Sequence, residues 1–142
     1  MRSSVPRAVL DTNVLVSALI SPGGGSARLL LELRSGAFEL IVSPLLLLEL
    51  RDVLRRDKFR RYVSEAEADA YVELIRSEAV VRADPGPSPD PLSADPDDEY
   101  LIDLARDARA DALVTGDAHL LDLRALIPAM TPAEFLELLP GR

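Results

Sequence analysis

At four places in this chain carboxylates stand where a carboxylate can do chemistry. Asp11 ends an apolar run, R-A-V-L-D-T-N-V-L-V at residues 7–16, that reads as a buried strand interrupted by three polar residues before apolar character resumes. Asp117 closes L-V-T-G-D, just past another apolar run, and Glu49 lies about a turn and a half into a helical pattern that begins at Pro44. Asp97 and Asp98 open the helical pattern announced by Asp95-Pro96. Carboxylates gathered in one place repel one another, and some stay protonated at neutral pH unless a cation neutralises them. With oxygen donors alone, the fitting ion is Mg²⁺ or Mn²⁺, which keeps several waters and bridges to substrate phosphate. Such an ion activates water, polarises a phosphoryl oxygen and stabilises a leaving oxygen, so phosphodiester hydrolysis is the natural chemistry.

Composition removes most competitors. The chain has no cysteine, which excludes disulfides, thiolate metal sites and cysteine nucleophiles and fits a reducing compartment. His119 is the only histidine and no G-x-S-x-G motif accompanies it. Lys58 is the only lysine against fifteen arginines, so the phosphate-binding G-x-x-x-x-G-K-[ST] loop is absent. A net charge of −8 argues against a general polyanion-binding surface, an argument that weakens if the acids gather round metal ions. Neither a signal peptide nor a membrane span is apparent, so the expected compartment is cytoplasmic, with no membrane partner.

The elements that must carry these acids alternate. Apolar runs at 8–10, 40–42, 79–81, 112–114 and 126–130 read as strands, and patterns at 12–20, 26–35, 44–55, 64–77, 96–109 and 132–139 read as helices. Ser43-Pro44, Asp95-Pro96 and Thr131-Pro132 each place a capping residue before proline at the first helical position. The fold class expected is α/β with a mainly parallel sheet, as one domain over residues 1–142. Residues 23–25 read as a loop. The proline-rich run at 84–96 cannot be a helix or an inner strand.

In open parallel sheets ligands bind beyond the carboxyl ends of the strands, where all these acids fall. On the helix at Pro44, Leu46, Leu47, Leu50, Val53 and Leu54 define the apolar face, and Glu49 lies roughly 100° from its centre, on the flank. On the helix at Pro96, Asp97 and Asp98 straddle the inward direction at roughly 50° on either side, so periodicity does not choose between them; Glu99 and Asp103 point the other way. Each acid also has a plain structural role available, as a helix cap or a dipole-matching residue. Those roles leave unexplained why all fall at one end of the sheet.

These residues resemble the PIN-domain nucleases, in particular the toxin components of toxin–antitoxin pairs related to the VapC-like toxins. The similarity runs through L-D-T-N-V-L-V-S-A at 10–18, L-E-L-R-D-V-L at 48–54, D-P-D-D-E-Y-L at 95–101, L-V-T-G-D at 113–117 and T-P-A-E-F-L at 131–136. It implies a three-layer α/β/α domain and a Mg²⁺- or Mn²⁺-dependent ribonuclease. The family's four acids then fall on Asp11, Glu49, Asp98 (by its spacing to T-G-D) and Asp117, with Asp97 in reserve. Small polar residues near the metal fall on Asn13 and Thr115. The implied partners are RNA, a small antitoxin that inserts into the cleft, and a second copy of the chain as a homodimer.

Two positions depart from the family pattern. His119 stands where another acid often follows T-G-D, which could reduce two metals to one, and the proline-rich approach to Asp97 is long. For RNA, the one basic cluster is Arg51, Arg55, Arg56, Lys58, Arg60 and Arg61, with Arg56 on Glu49's side of its helix; Arg56, Arg55 and Lys58 are the phosphate-contact candidates. Aromatic residues are few and not interleaved with this cluster, which argues against a base-stacking platform. The competing readings are a PIN-like module that binds RNA or a partner without cutting, a haloacid-dehalogenase-type phosphatase and a phosphoacceptor receiver domain. Asn13, where the phosphatase needs a second carboxylate, and the absence of a late lysine count against the last two.

Overall fold

A computed structural model describes residues 5–140. Five strands, β1 (Arg7–Leu10), β2 (Glu39–Val42), β3 (Val80–Val81), β4 (Ala112–Val114) and β5 (Ala129–Met130), form one sheet in the order β3-β2-β1-β4-β5. Every pairing is parallel, with Ala8 opposite both Leu40 and Ala112, and Leu10 opposite Val114. The inner strands are buried on both faces, which is why they read as unbroken apolar runs.

Among the described residues seven α-helices flank the sheet: α1 (Thr12–Ile20), α2 (Gly25–Arg34), α3 (Pro44–Leu54), α4 (Glu65–Glu78), α5 (Pro96–Asp107), α6 (Ala118–Leu121) and α7 (Pro132–Leu138). The chain moves outward from β1 to β2 and β3, then crosses back to β4. Right-handed crossovers running in opposite directions lie on opposite faces, so α1 to α4 cover one face and α5 the other. The packing agrees: α1 contacts α2 and α3, α3 contacts α4, α7 joins α2, and α5 sits on β1 and β4. This is a three-layer α/β/α arrangement whose strand order reverses between β1 and β4.

Buried aromatic contacts tie the elements on the α1-to-α4 face together. Phe135 of α7 is fully buried, edge-on to Phe38 with ring centroids 5.1 Å apart. Tyr71 of α4 donates its hydroxyl to the Leu15 carbonyl at 2.6 Å, satisfying a buried phenol.

Two differences from the sequence reading have local causes. The expected strand at 126–130 shrinks to Ala129–Met130, because Leu126 and Ile127 close turns onto Leu123 and Pro128 brings no N–H to the ladder. Glu99 and Asp103 do point away from the sheet, yet each is only 9% exposed. The proline-rich segment folds over them, and Glu99 Oε1 accepts the Leu92 and Ser93 amides, each at 2.8 Å. No single helix among the described residues is long and apolar enough to cross a membrane; α1 and α2 pass that test only as a pair, bent by 94°.

Candidate functional site

The reversal of strand order opens a crevice at the carboxyl edge of the sheet, and four segments deliver carboxylates to it. Asp11 follows β1 directly and is 5% exposed. It is the N-cap of α1: Oδ1 accepts the Asn13 amide at 2.6 Å and, more weakly, the Val14 amide at 3.4 Å. Its other oxygen, Oδ2, accepts the hydroxyl of fully buried Thr115 at 2.5 Å. The capping role and the crevice position therefore coexist in one side chain.

Asp117 caps α6, with Oδ1 accepting the His119 amide at 2.9 Å, and its own amide donates to Thr115 Oγ1 at 3.0 Å. Glu49 reaches over from the flank of α3, where Oε1 accepts Thr12 Oγ1 at 2.7 Å and also a short hydrogen bond from the Tyr100 hydroxyl. Asp98 rises from the first turn of α5, and its carboxylate accepts no protein hydrogen bond among the described residues.

These four acids line a single cavity of about 270 Å³, together with Asn13, Asp95, Asp97 and Arg56. Six carboxylates thus face one guanidinium. The electrostatic consequence is visible in the acids themselves. Burial, then the fields of Asp117, Asp95 and Asp11, push Asp98 up to about 6, with His119 pulling the other way. Asp11 is raised too, chiefly by burial and slightly by Asp117, against the hydrogen bonds from Thr115, Asn13 and Val14.

A divalent cation fits this donor set. A carboxylate offers about four lone-pair sites; Asp11 spends three on protein donors, Asp117 spends one, and Asp98 spends none. Among the described residues no three His, Asp or Glu side chains are arranged to grip an ion by themselves. Mg²⁺ demands less, being held through one or two carboxylates with water completing its shell.

The remaining residues singled out in the sequence divide clearly. Asp97 and Asp98 both border the cavity, but Asp97 is exposed while Asp98 is half-buried and feels Asp117 and Asp11. Thr115 lies beneath the site as a hydrogen-bond relay, whereas Asn13 is exposed at the rim. The basic cluster is dispersed. Arg56 lines the acidic cavity and makes no ion pair among the described residues. Arg55 is turned away to a second groove between α3 and α4, where it pairs with Asp69 at 3.0 Å. Arg51 lines that same groove, Lys58 stands over the Phe59 ring, Arg61 over the Tyr62 ring, and Arg60 donates to the Leu54 carbonyl.

Sequence reasoning passed over Thr12 and Tyr100. The signal for Thr12 was its place as the first residue of a helix buried against the sheet, where a hydroxyl needs an acceptor. For Tyr100 it was a phenol set two residues from a candidate acid on the flank of its helix, since a phenol that packs on a core seeks a partner for its hydroxyl.

A parallel α/β fold whose topological switch point opens an acid-lined crevice has its ligand site at the carboxyl edge of the sheet, with a donor set that suits a hard cation. The sequence profile described as PIN domain matches residues 7–119, and the chain belongs to the PIN-domain family, whose members are typically nucleases and generally use a divalent metal. An uncharacterized protein of Methanocaldococcus jannaschii, MJ1680, is 28% identical over 141 residues, covering 92% of this chain and 90% of its own. Among solved structures, VapBC2 from Rickettsia felis, bound to a DNA fragment from their promoter, superposes with a TM-score of 0.61 at 17% identity, covering 88% of this chain and 98% of that one. The PIN domain of human SMG5 gives 0.49 at 15% identity, covering 93% and 97%.

Proposed function

We propose that this protein, as one PIN domain over residues 1–142, is a ribonuclease that hydrolyses RNA phosphodiester bonds with Mg²⁺ or Mn²⁺ held by Asp11, Glu49, Asp98 and Asp117. The observation that carries the reading is the convergence of these four acids, from four separate segments, on one cavity with a single unpaired guanidinium. When bound, the cation supplies an activated water and neutralises charge on the phosphoryl group.

The chain's own groups have distinct tasks. Asp98 and Asp117 present oxygens free of protein donors, Asp11 is the strand-borne anchor, and Thr115 holds Asp11 in place. Asn13 at the rim is suited to orienting water, and Asp97 stands in reserve beside Asp98. Arg56, the one cation lining the acidic cleft among the described residues, is the group to take an RNA phosphate, with Lys58 further along the same segment. Arg55 is not carried forward, since its groove lies elsewhere.

The name of the Rickettsia felis structure, a toxin–antitoxin complex, supports a small antitoxin as protein partner and a toxin as biological role. A second copy of the chain is the assembly to look for. The test is incubation of single-stranded and structured RNA with Mn²⁺ or Mg²⁺, with EDTA, and with Asp11→Asn. Cleavage that requires the ion and the aspartate is expected, and cleavage that survives either loss overturns the mechanism. A second reading, a PIN-like module that binds RNA or a partner without cutting, is favoured by one observation: no three carboxylates grip an ion among the described residues. Calorimetry that detects no Mn²⁺ binding would select it.

A further inference from the structure

The geometry points to Tyr100 as a positioning residue that fixes Glu49 by holding its Oε1, leaving Oε2 for the cation; this rests on the ribonuclease reading above. Glu49 comes from α3 and Tyr100 from α5, helices on opposite faces of the sheet, so their hydrogen bond bridges the two layers across the mouth of the switch point. Thr12, the first residue of α1, donates to the same oxygen at 2.7 Å. Oε2 accepts no protein hydrogen bond among the described residues.

Two donors on one oxygen remove the torsional freedom of a long side chain and decide which oxygen faces the cleft. The Tyr100 ring is half-buried against the core, so its hydroxyl is delivered from a fixed platform. It is also two residues from Asp98 on the same helix, and the bond therefore ties Glu49 to the turn that carries Asp98. Arg56 borders the same cavity without an ion pair. A Glu49 carboxylate released from Tyr100 shares its cavity with that guanidinium, and pairing with it would take the carboxylate out of the metal's reach.

The experiment compares Tyr100→Phe with the unaltered protein, since phenylalanine keeps the ring and removes only the donor. Mn²⁺ binding by calorimetry without RNA is expected to weaken about tenfold or more, as for other groups that orient a metal ligand, at unchanged thermal midpoint. Ribonuclease activity should fall at limiting Mn²⁺ and recover as Mn²⁺ is raised, with the RNA KM unchanged, a response that a merely structural role would not give. Equal Mn²⁺ affinity in the two proteins overturns the positioning role and leaves the ribonuclease reading standing. Absence of Mn²⁺ binding in the unaltered protein overturns the ribonuclease reading and this inference with it.

Discussion

Thr115 donates its hydroxyl to Asp11 Oδ2 at 2.5 Å across the reversal of strand order, joining the residues that follow β1 and β4. Thr115 Oγ1 in turn accepts the Asp117 amide at 3.0 Å, so one fully buried hydroxyl spans both carboxylate-bearing loops. Thr115→Val keeps the shape but leaves Asp11 Oδ2 and the Asp117 amide without this partner. A loss of about 1–3 kcal/mol in urea unfolding at pH 7 is expected, the cost of orphaning buried polar groups, while Thr115→Ser should retain most of the stability. Equal midpoints for the valine variant and the unaltered protein would show that the bond is incidental.

The pH dependence of the metal-free protein has a definite sign. Asp98 is pushed up to about 6 from an ordinary 3.8, by burial first and neighbouring carboxylates second, and Asp11 is raised as well. Both bind a proton more tightly when folded than when unfolded, so each contributes stability that is fullest below 3.8 and is lost as pH rises, for Asp98 through about 6. Asp98→Asn should flatten the decline of the thermal midpoint across that window. Mn²⁺ at a hundred times its Kd should restore about 2.7 kcal/mol near neutrality. A slope unaffected by Asp98→Asn would mean that the aspartate does not feel the cluster.

Arg56 and Arg55 are adjacent in sequence, yet they line different grooves at the end of α3. Arg56→Ala is expected to raise the RNA KM and to reduce the salt dependence of binding by roughly one phosphate contact. Arg55→Ala should leave both unchanged and cost at most about 1 kcal/mol through the exposed Asp69 pair. Filter binding across a salt series decides between them, and equal effects would place RNA on the other groove.

Glu99 holds the proline-rich segment over α5 through the Leu92 and Ser93 amides. Removing the acceptor with Glu99→Ala should release those two amides to rapid hydrogen exchange without altering exchange in β1 or β4. Protection that persists in the variant would show that the prolines alone hold the segment.

Arg109 is the one described non-glycine residue with positive φ, at 52°, and it ends α5 where the Ala110 amide returns to the Ala105 carbonyl at 2.9 Å. A left-handed residue at this position favours glycine. Arg109→Gly should stabilise the protein by up to about 1 kcal/mol with cleavage unchanged, as read from paired melting and activity measurements.

Much of the architecture was legible because it follows from local rules. β1, β2 and β4 are apolar runs buried on both faces, and the helix starts at Pro44, Pro96 and Pro132 follow capping residues whose side chains accept the amides expected of them. The exception at 126–130 arose because apolar composition cannot distinguish a strand from turns packed on a core, as Ile127 shows by being buried outside the sheet. Periodicity placed Glu49 on a helix flank, and the cavity does open there. It could not place the arginines, because the chain changes direction after Leu54 and a short turn at Asp57–Phe59 sends consecutive side chains to different surfaces.

By itself the sequence determined the α/β class and the order of the elements, and it nominated the candidate acids, since hydrophobic period, caps and motif spacing are properties of short stretches. Only the tertiary structure decided what surrounds each acid. Asp98 senses Asp117 and Asp11, Thr115 clasps Asp11, Tyr100 and Thr12 share Glu49, and Glu99 is covered instead of exposed. Each of these depends on two segments far apart in the chain meeting where the sheet reverses its order, and the distance between such segments is set by packing across the layers.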